Sequence, residues 1–133
     1  MIDNTWAVVT GGSDGIGLAI SKKLAREGFN ICIVSRTQSK IEDKLQEITK
    51  ECRDGDQSFK TLCIVADFSK MFTIEEYQQV IGSKLADLDV GVVILNAGMA
   101  LNGFFNEVED SKIEQTMQIN TNHVIYMTKV LLP

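Results

Sequence analysis

A glycine-rich turn, Thr10-Gly11-Gly12-Ser13-Asp14-Gly15-Ile16-Gly17, stands between an unbroken apolar run and an amphipathic stretch, and few folds accommodate that order. The run before it, Trp6 to Val9 within a predicted strand Thr5 to Thr10, shows no alternation, which is how a strand buried on both faces reads. After it, Ile16, Ala19, Ile20 and Leu24 recur at helical spacing, while Lys22, Lys23, Arg26 and Glu27 take the other positions. This predicts a helix over about Gly15 to Glu27, stopped by Gly28.

The same passage then repeats. A second apolar strand, Asn30 to Ser35, leads to a helix over about Gln38 to Glu51 that displays Ile41, Leu45 and Ile48. Arg53 to Ser58 is polar, contains Gly55 and predicts a loop before a third strand, Lys60 to Ala66. A helical stripe follows over Phe72 to Leu85, then a fourth strand, Val90 to Leu95, and a glycine-containing loop, Asn96 to Gly103. Helical patterns resume over Val108 to Met117 and Ile119 to Leu132. Buried strands alternating with helices imply an α/β, three-layer, Rossmann-like doubly wound parallel sheet, here with four strands in the expected order 3-2-1-4. Ligands of such sheets sit beyond the carboxyl ends of the strands, where Gly11 to Gly17 and Asn96 to Gly98 would converge.

Composition narrows the class of partner. At 133 residues the chain allows one domain, and 44% apolar with 23% charged residues excludes a generically disordered chain. A formal charge of -5 repels a phosphate backbone, so nucleic acid is not an expected partner. Cys32, Cys52 and Cys63 are an odd set without a CxxC pair, which fits a reducing, intracellular and cytoplasmic setting. Neither a secretory leader nor an apolar stretch long enough to cross a bilayer is legible. His123 is the single histidine and has no cysteine or second histidine at ligand spacing, so no metal site is expected and His123 reads as structural or solvent-facing.

In the turn, Gly11 would permit the reversal, Gly15 would let the backbone approach a pyrophosphate, and Gly17 would allow close packing while helix N-terminal amides face the anion. A dinucleotide is the natural cargo; a turn required only for packing is the alternative. Its spacing is Gly-x3-Gly-x-Gly. Together with Asn96-Ala97-Gly98 after the fourth strand, it resembles the short-chain dehydrogenase/reductase family over almost the whole chain.

That resemblance implies a nicotinamide cofactor held along Thr10, Gly11, Ser13, Asp14, Gly15, Ile16 and Gly17, with Asn96, Ala97 and Gly98 bordering it and Asn96 holding the sheet centre. A plain strand cap at Asn96 and Gly98 remains open. NAD-selective members carry an acidic residue after the second strand, whereas here Ser35-Arg36 offers a neutral side chain and a fixed fork of donors for a 2′-phosphate. NADP(H) is therefore expected ahead of NAD(H). In the family, the residue matching Asp67 contacts the adenine amino group and its neighbour Phe68 borders the ring; capping of the next helix by Asp67, Ser69 or Thr73 is the alternative. Asn120, in Ile119-Asn120, matches the helix asparagine of the family's catalytic group, which organises a water and the catalytic lysine.

The family's Ser and Tyr-x-x-x-Lys lie downstream of that asparagine helix, so residues 1–133 are expected to be the dinucleotide-binding portion without the catalytic half. Tyr126-Met127-Thr128-Lys129 is one residue short of that spacing and lies on the asparagine helix, and is rejected as the pair. Trp6-Ala7-Val8-Val9-Thr10-Gly11, Ile33-Val34-Ser35-Arg36, Ala66-Asp67-Phe68-Ser69 and Asp89-Val90-Gly91-Val92-Val93 look like the very-long-chain 3-oxoacyl-CoA reductase and 17β-hydroxysteroid dehydrogenase branch, although Leu95 stands where that branch often has another asparagine. The resemblance implies hydride transfer from NADPH to a 3-oxoacyl thioester or ketosteroid, a carbonyl or hydroxyl lipid substrate, and endoplasmic-reticulum association in a longer form. A non-catalytic cofactor-binding or interaction module, or an incomplete fragment without independent function, is the competing reading. An open edge at the fourth strand and apolar Ile119, Tyr126, Met127, Val130, Leu131 and Leu132 predict association, with a second copy or with a following segment.

Overall fold

In a computed structural model, residues 4–52 and 59–132 are described. The predicted loop over 53–58 and the first three residues lie outside the described residues. Four parallel strands, β1 (Trp6–Thr10), β2 (Asn30–Ser35), β3 (Thr61–Val65) and β4 (Val90–Leu95), form one sheet in the order β3-β2-β1-β4. This is the expected doubly wound order, with the chain reversing beside β1. Register runs from Trp6 opposite Asn30 to Thr10 opposite Val34, and Thr10 faces Leu95 on the other side. The β1–β4 register shifts between Trp6 and Ala7, leaving Gly91 as the extra residue.

The sheet buries one set of side chains on each face, as strand alternation requires. Helices α1 (Gly15–Arg26) and α2 (Gln38–Cys52) contribute to one core with Ala7, Ile31 and Ile33, supplying Ala25, Ile41, Leu45 and Ile48. The opposite core holds Trp6, Val8, Cys32, Val34 and Ile64 together with Tyr77, Ile81, Leu85 and Met127. Those last four come from one helical run, α3 (Ile74–Tyr77) through a π turn at Gln78–Gly82 to α4 (Ser83–Leu85), and from α6 (His123–Leu131).

Two expectations change. The helix predicted from Phe72 begins at Ile74, because Thr73 caps it: the Thr73 hydroxyl accepts from the Glu76 amide, and the Glu76 carboxylate accepts from the Phe72 and Thr73 amides at 2.7 and 2.8 Å. The two helices predicted at Val108 to Met117 and Ile119 to Leu132 are continuous helical backbone, α5 (Asp110–Met117) passing into α6 through a π turn at Gln118–Asn122. β3 and β4, whose unbroken apolar runs read as buried on both faces, stand at the two edges as the order 3-2-1-4 requires, and most of their residues are half-buried or exposed. Of the apolar residues near the end, Met127 is fully buried, Ile119, Tyr126, Val130 and Leu131 pack against the core, and Leu132 is exposed.

Candidate nucleotide-binding cleft

The carboxyl ends of the strands open into a cleft of about 450 Å³, within the range of small-molecule sites. Its floor is built where β1 and β4 finish. The Thr10 hydroxyl accepts from the Asn96 and Ala97 amides at 3.0 and 3.1 Å, and the Asn96 side-chain amide donates to the carbonyls of Thr10, at 3.1 Å, and Gly11, at 3.4 Å. Asn96 thus ties the two strand ends together, and Thr10 is buried beneath the floor rather than lining it.

Close packing explains the last glycine of the turn. A Cβ on Gly17 would lie 2.4 Å from the Gly11 carbonyl oxygen and 2.5 Å from the Asn96 side-chain nitrogen, so only glycine lets α1 start this near the strand ends. Gly15 has φ +47°, a left-handed conformation that favours glycine, and a Cβ there would meet nothing within 4 Å. The backbone at the start of α1 is therefore bare toward the cleft it lines. That open cradle suits a diphosphate, because the first amides of a helix lack internal partners.

Asp14 caps α1. Its carboxylate accepts from the Gly15 amide at 2.8 Å and pairs with the Lys40 ammonium at 2.6 Å. The Lys40 side chain, followed by the Gly15 amide, holds the Asp14 carboxyl below the usual carboxylate range. Ser13 and Ser35 join the turn to the end of β2 through a hydroxyl pair at 3.1 Å. Arg36, exposed on the rim, makes no ion pair among the described residues.

Beyond β3, the Asp67 carboxylate accepts from the Ser69 amide at 3.1 Å and the Ser69 hydroxyl at 2.6 Å, capping a single 3-10 turn, Phe68–Lys70. The capping reading of Asp67 is thus realised, while Asp67 and Phe68 also line the cleft. Phe68 is buried, with its ring 4.2 Å from the His123 ring and 5.8 Å from that of Tyr77. His123 is buried: its Nδ1 lies 3.0 Å from the Ile119 carbonyl, while Nε2 has no hydrogen-bond partner among the described residues. Burial pushes its imidazole below the ordinary value. Among the described residues no cluster of metal-ligating side chains occurs.

At the opposite end, Asn120 clamps Met99. Its carbonyl oxygen accepts from the Met99 amide at 2.8 Å and its amide donates to the Met99 carbonyl at 2.7 Å. The π turn at Gln118–Asn122 contains this residue, and such turns widen a helix by one residue where a side chain is to be re-aimed. Asn120 does not itself line the cleft; Met99 and Ile119 do. Tyr126 packs edge-on against Tyr77 at 5.4 Å between ring centres.

The structure therefore gathers Gly11, Ser13, Asp14, Gly15, Ser35, Arg36, Asp67, Phe68, Asn96, Ala97 and Gly98 around one cleft. Ile16 lies in the first turn of α1 with its side chain 74% exposed, outside the lining of the cleft. Sequence reasoning missed Thr37 and Lys40, which do. Their signal was present in the first turn of the second helix, where residues one and four places after Arg36 share the turn nearest the end of β2.

A profile described as short chain dehydrogenase matches residues 5–133. The chain is 37% identical over 131 residues to the very-long-chain 3-oxoacyl-CoA reductase of Podospora anserina, covering 97% of this chain and 37% of that protein. It is 39% identical over 132 residues to very-long-chain 3-oxoacyl-CoA reductase-B of Danio rerio, covering 96% of this chain and 40% of that one. The chain thus spans about two-fifths of the length of these relatives. An alcohol dehydrogenase from Thermococcus sibiricus, solved with 5-hydroxy-NADP, superposes with a TM-score of 0.79 at 26% identity, covering 95% of this chain and 51% of that one. With a match along nearly its whole length, this chain belongs to the short-chain dehydrogenase family.

Proposed function

We propose that this chain is the NADP(H)-binding portion of an oxidoreductase that transfers hydride from NADPH to the carbonyl of a 3-oxoacyl-CoA or ketosteroid. The observation that carries the cofactor reading is the rim after β2, where neutral Ser35 and unpaired Arg36 border a cleft that also presents the bare start of α1. A guanidinium fork suits a phosphate monoester, and no carboxylate occupies the place where ribose hydroxyls would be received. The substrate class rests on the likeness to the reductases of Podospora anserina and Danio rerio.

The cofactor, when bound, supplies the hydride. The chain's own residues would do the rest of the holding: the α1 amides around Gly15 receive the diphosphate, Asp67 accepts from the adenine amino group, and Phe68 borders the ring. Asn96, Ala97 and Gly98 form the floor, with Thr10 and Gly17 shaping it from below. Asn120 acts as a positioning residue through Met99, keeping the floor loop against the helix beside the reacting end. The competing role is a cofactor-binding or interaction module.

Calorimetric titration of the chain with NADPH and NADH tests this reading. Binding of NADPH at least about tenfold tighter than NADH is expected, the worth of one charge-assisted contact to the extra phosphate. Tighter binding of NADH overturns it. Reduction of a 3-oxoacyl-CoA by this chain alone would overturn the assignment as a binding portion, by showing that a proton donor is present.

A further inference from the structure

The ion pair between Asp14 and Lys40 spans the mouth of the cleft, joining the N-cap of α1 to the first turn of α2 across 26 residues of sequence. Both side chains line the cleft beside Arg36 and Thr37. Asp14 uses one carboxylate oxygen on the Gly15 amide and the other on the Lys40 ammonium. Lys44, the next cation along α2, is engaged by Glu47 at 2.6 Å and Asp43 at 3.5 Å, so its charge is offset within its own helix. Lys40 has only Asp14 as an ion-pair partner among the described residues.

A phosphate monoester brings close to two negative charges, more than Arg36 alone neutralises. The nearest other cation on this rim is Lys40, on a flexible four-carbon stem. Its pair with Asp14 is solvent-exposed, with side chains 46% and 79% accessible, and exposed pairs hold weakly. Exchange of one anion for another at Lys40 is therefore inexpensive. The same geometry places the Asp14 carboxylate where it repels an incoming phosphate once Lys40 has left it.

We propose that Lys40 is a second specificity-determining cation for the cofactor's 2′-phosphate, parked on Asp14 in the free chain and transferred to the phosphate on binding. Asp14 in turn limits that affinity. A nucleotide lacking the 2′-phosphate leaves the Asp14–Lys40 pair closed. This rests on the NADP(H) reading above and extends it to residues on a different helix.

The test is calorimetric titration of the unaltered chain and of the Lys40→Met, Lys40→Arg and Asp14→Asn variants with NADPH and with NADH. Asparagine retains the N-cap, and methionine retains the aliphatic stem. Lys40→Met is expected to weaken NADPH about tenfold while NADH stays within about twofold, and Lys40→Arg to recover most of the loss. Asp14→Asn is expected to tighten NADPH about threefold more than it tightens NADH, whose diphosphate faces the same carboxylate. An unaltered chain that binds both nucleotides equally, or neither, overturns the NADP(H) reading and this inference with it. An unaltered chain that prefers NADPH, with the same preference after Lys40→Met, overturns this inference alone.

Discussion

β2 and β4 have the same length and similarly apolar sequences, Asn30-Ile31-Cys32-Ile33-Val34-Ser35 and Val90-Gly91-Val92-Val93-Ile94-Leu95, yet five of six residues are buried in β2 and none in β4. Hydrophobicity does not separate them; neighbours do. β2 hydrogen-bonds to β1 and β3 and is covered on both faces, whereas β4 pairs only with β1 among the described residues. Ile94 belongs to neither buried cluster, although it stands opposite fully buried Val9. An apolar strand is thus a request for cover that the chain meets on one side of the sheet centre and leaves half-met on the other.

The difference is measurable as stability. Ile33→Ala removes a fully buried side chain and is expected to cost about 4 kcal/mol, while Ile94→Ala, on the half-exposed edge, is expected to cost about 1 kcal/mol in urea unfolding. Equal losses would show that β4 is as well covered as β2 in solution. Gly17→Ala tests the seam between the two halves, where the added carbon meets the Gly11 carbonyl and Asn96; a loss of about 3 kcal/mol is expected, with weakened nucleotide binding. A neutral substitution there would mean that the start of α1 yields without disturbing the junction of β1 and β4.

A smaller effect comes from His123, which packs on Phe68 in the core below β1 and β2. Its native imidazole titrates below the ordinary 6.5, so in the interval beneath that value the unfolded chain holds a proton that the folded chain does not. Its contribution is complete above about pH 6.5 and declines as the pH falls through that interval. His123→Phe is expected to lose less stability than the unaltered chain between about pH 7.5 and about pH 5. The same slope in both would place the pH dependence elsewhere; the Glu47 carboxyl, held down to about 2 by Lys22 and Lys44, loses its contribution as the pH falls below about 4.5.

The strands and the sheet order were legible because they depend on local signals: apolar runs, helical stripes and glycine turns whose handedness rules leave few topologies. Most of the cleft was legible for the same reason, since Gly11 to Gly15, Ser35-Arg36, Asp67-Phe68 and Asn96 to Gly98 all follow strand ends. The Ile16 side chain turns outward because a helix rotates successive side chains by about 100°, and Ile16 follows Gly15 in the first turn of α1. The helix joint at Gln118–Asn122 was invisible because a π turn depends on how the helix seats against its neighbours, and propensity does not record that.

The sequence by itself determined a parallel sheet in the order 3-2-1-4, with a glycine-walled cradle at its carboxyl edge, since buried strands and crossover helices have one economical arrangement. Only the tertiary structure decided that Lys40 reaches Asp14, that Asn120 clamps Met99, and that α5 passes into α6 through a π turn at Gln118–Asn122. Those three depend on contacts between elements distant along the chain. Their geometry follows from how the helices lie on the sheet, a consequence of packing all the side chains at once that no local pattern encodes.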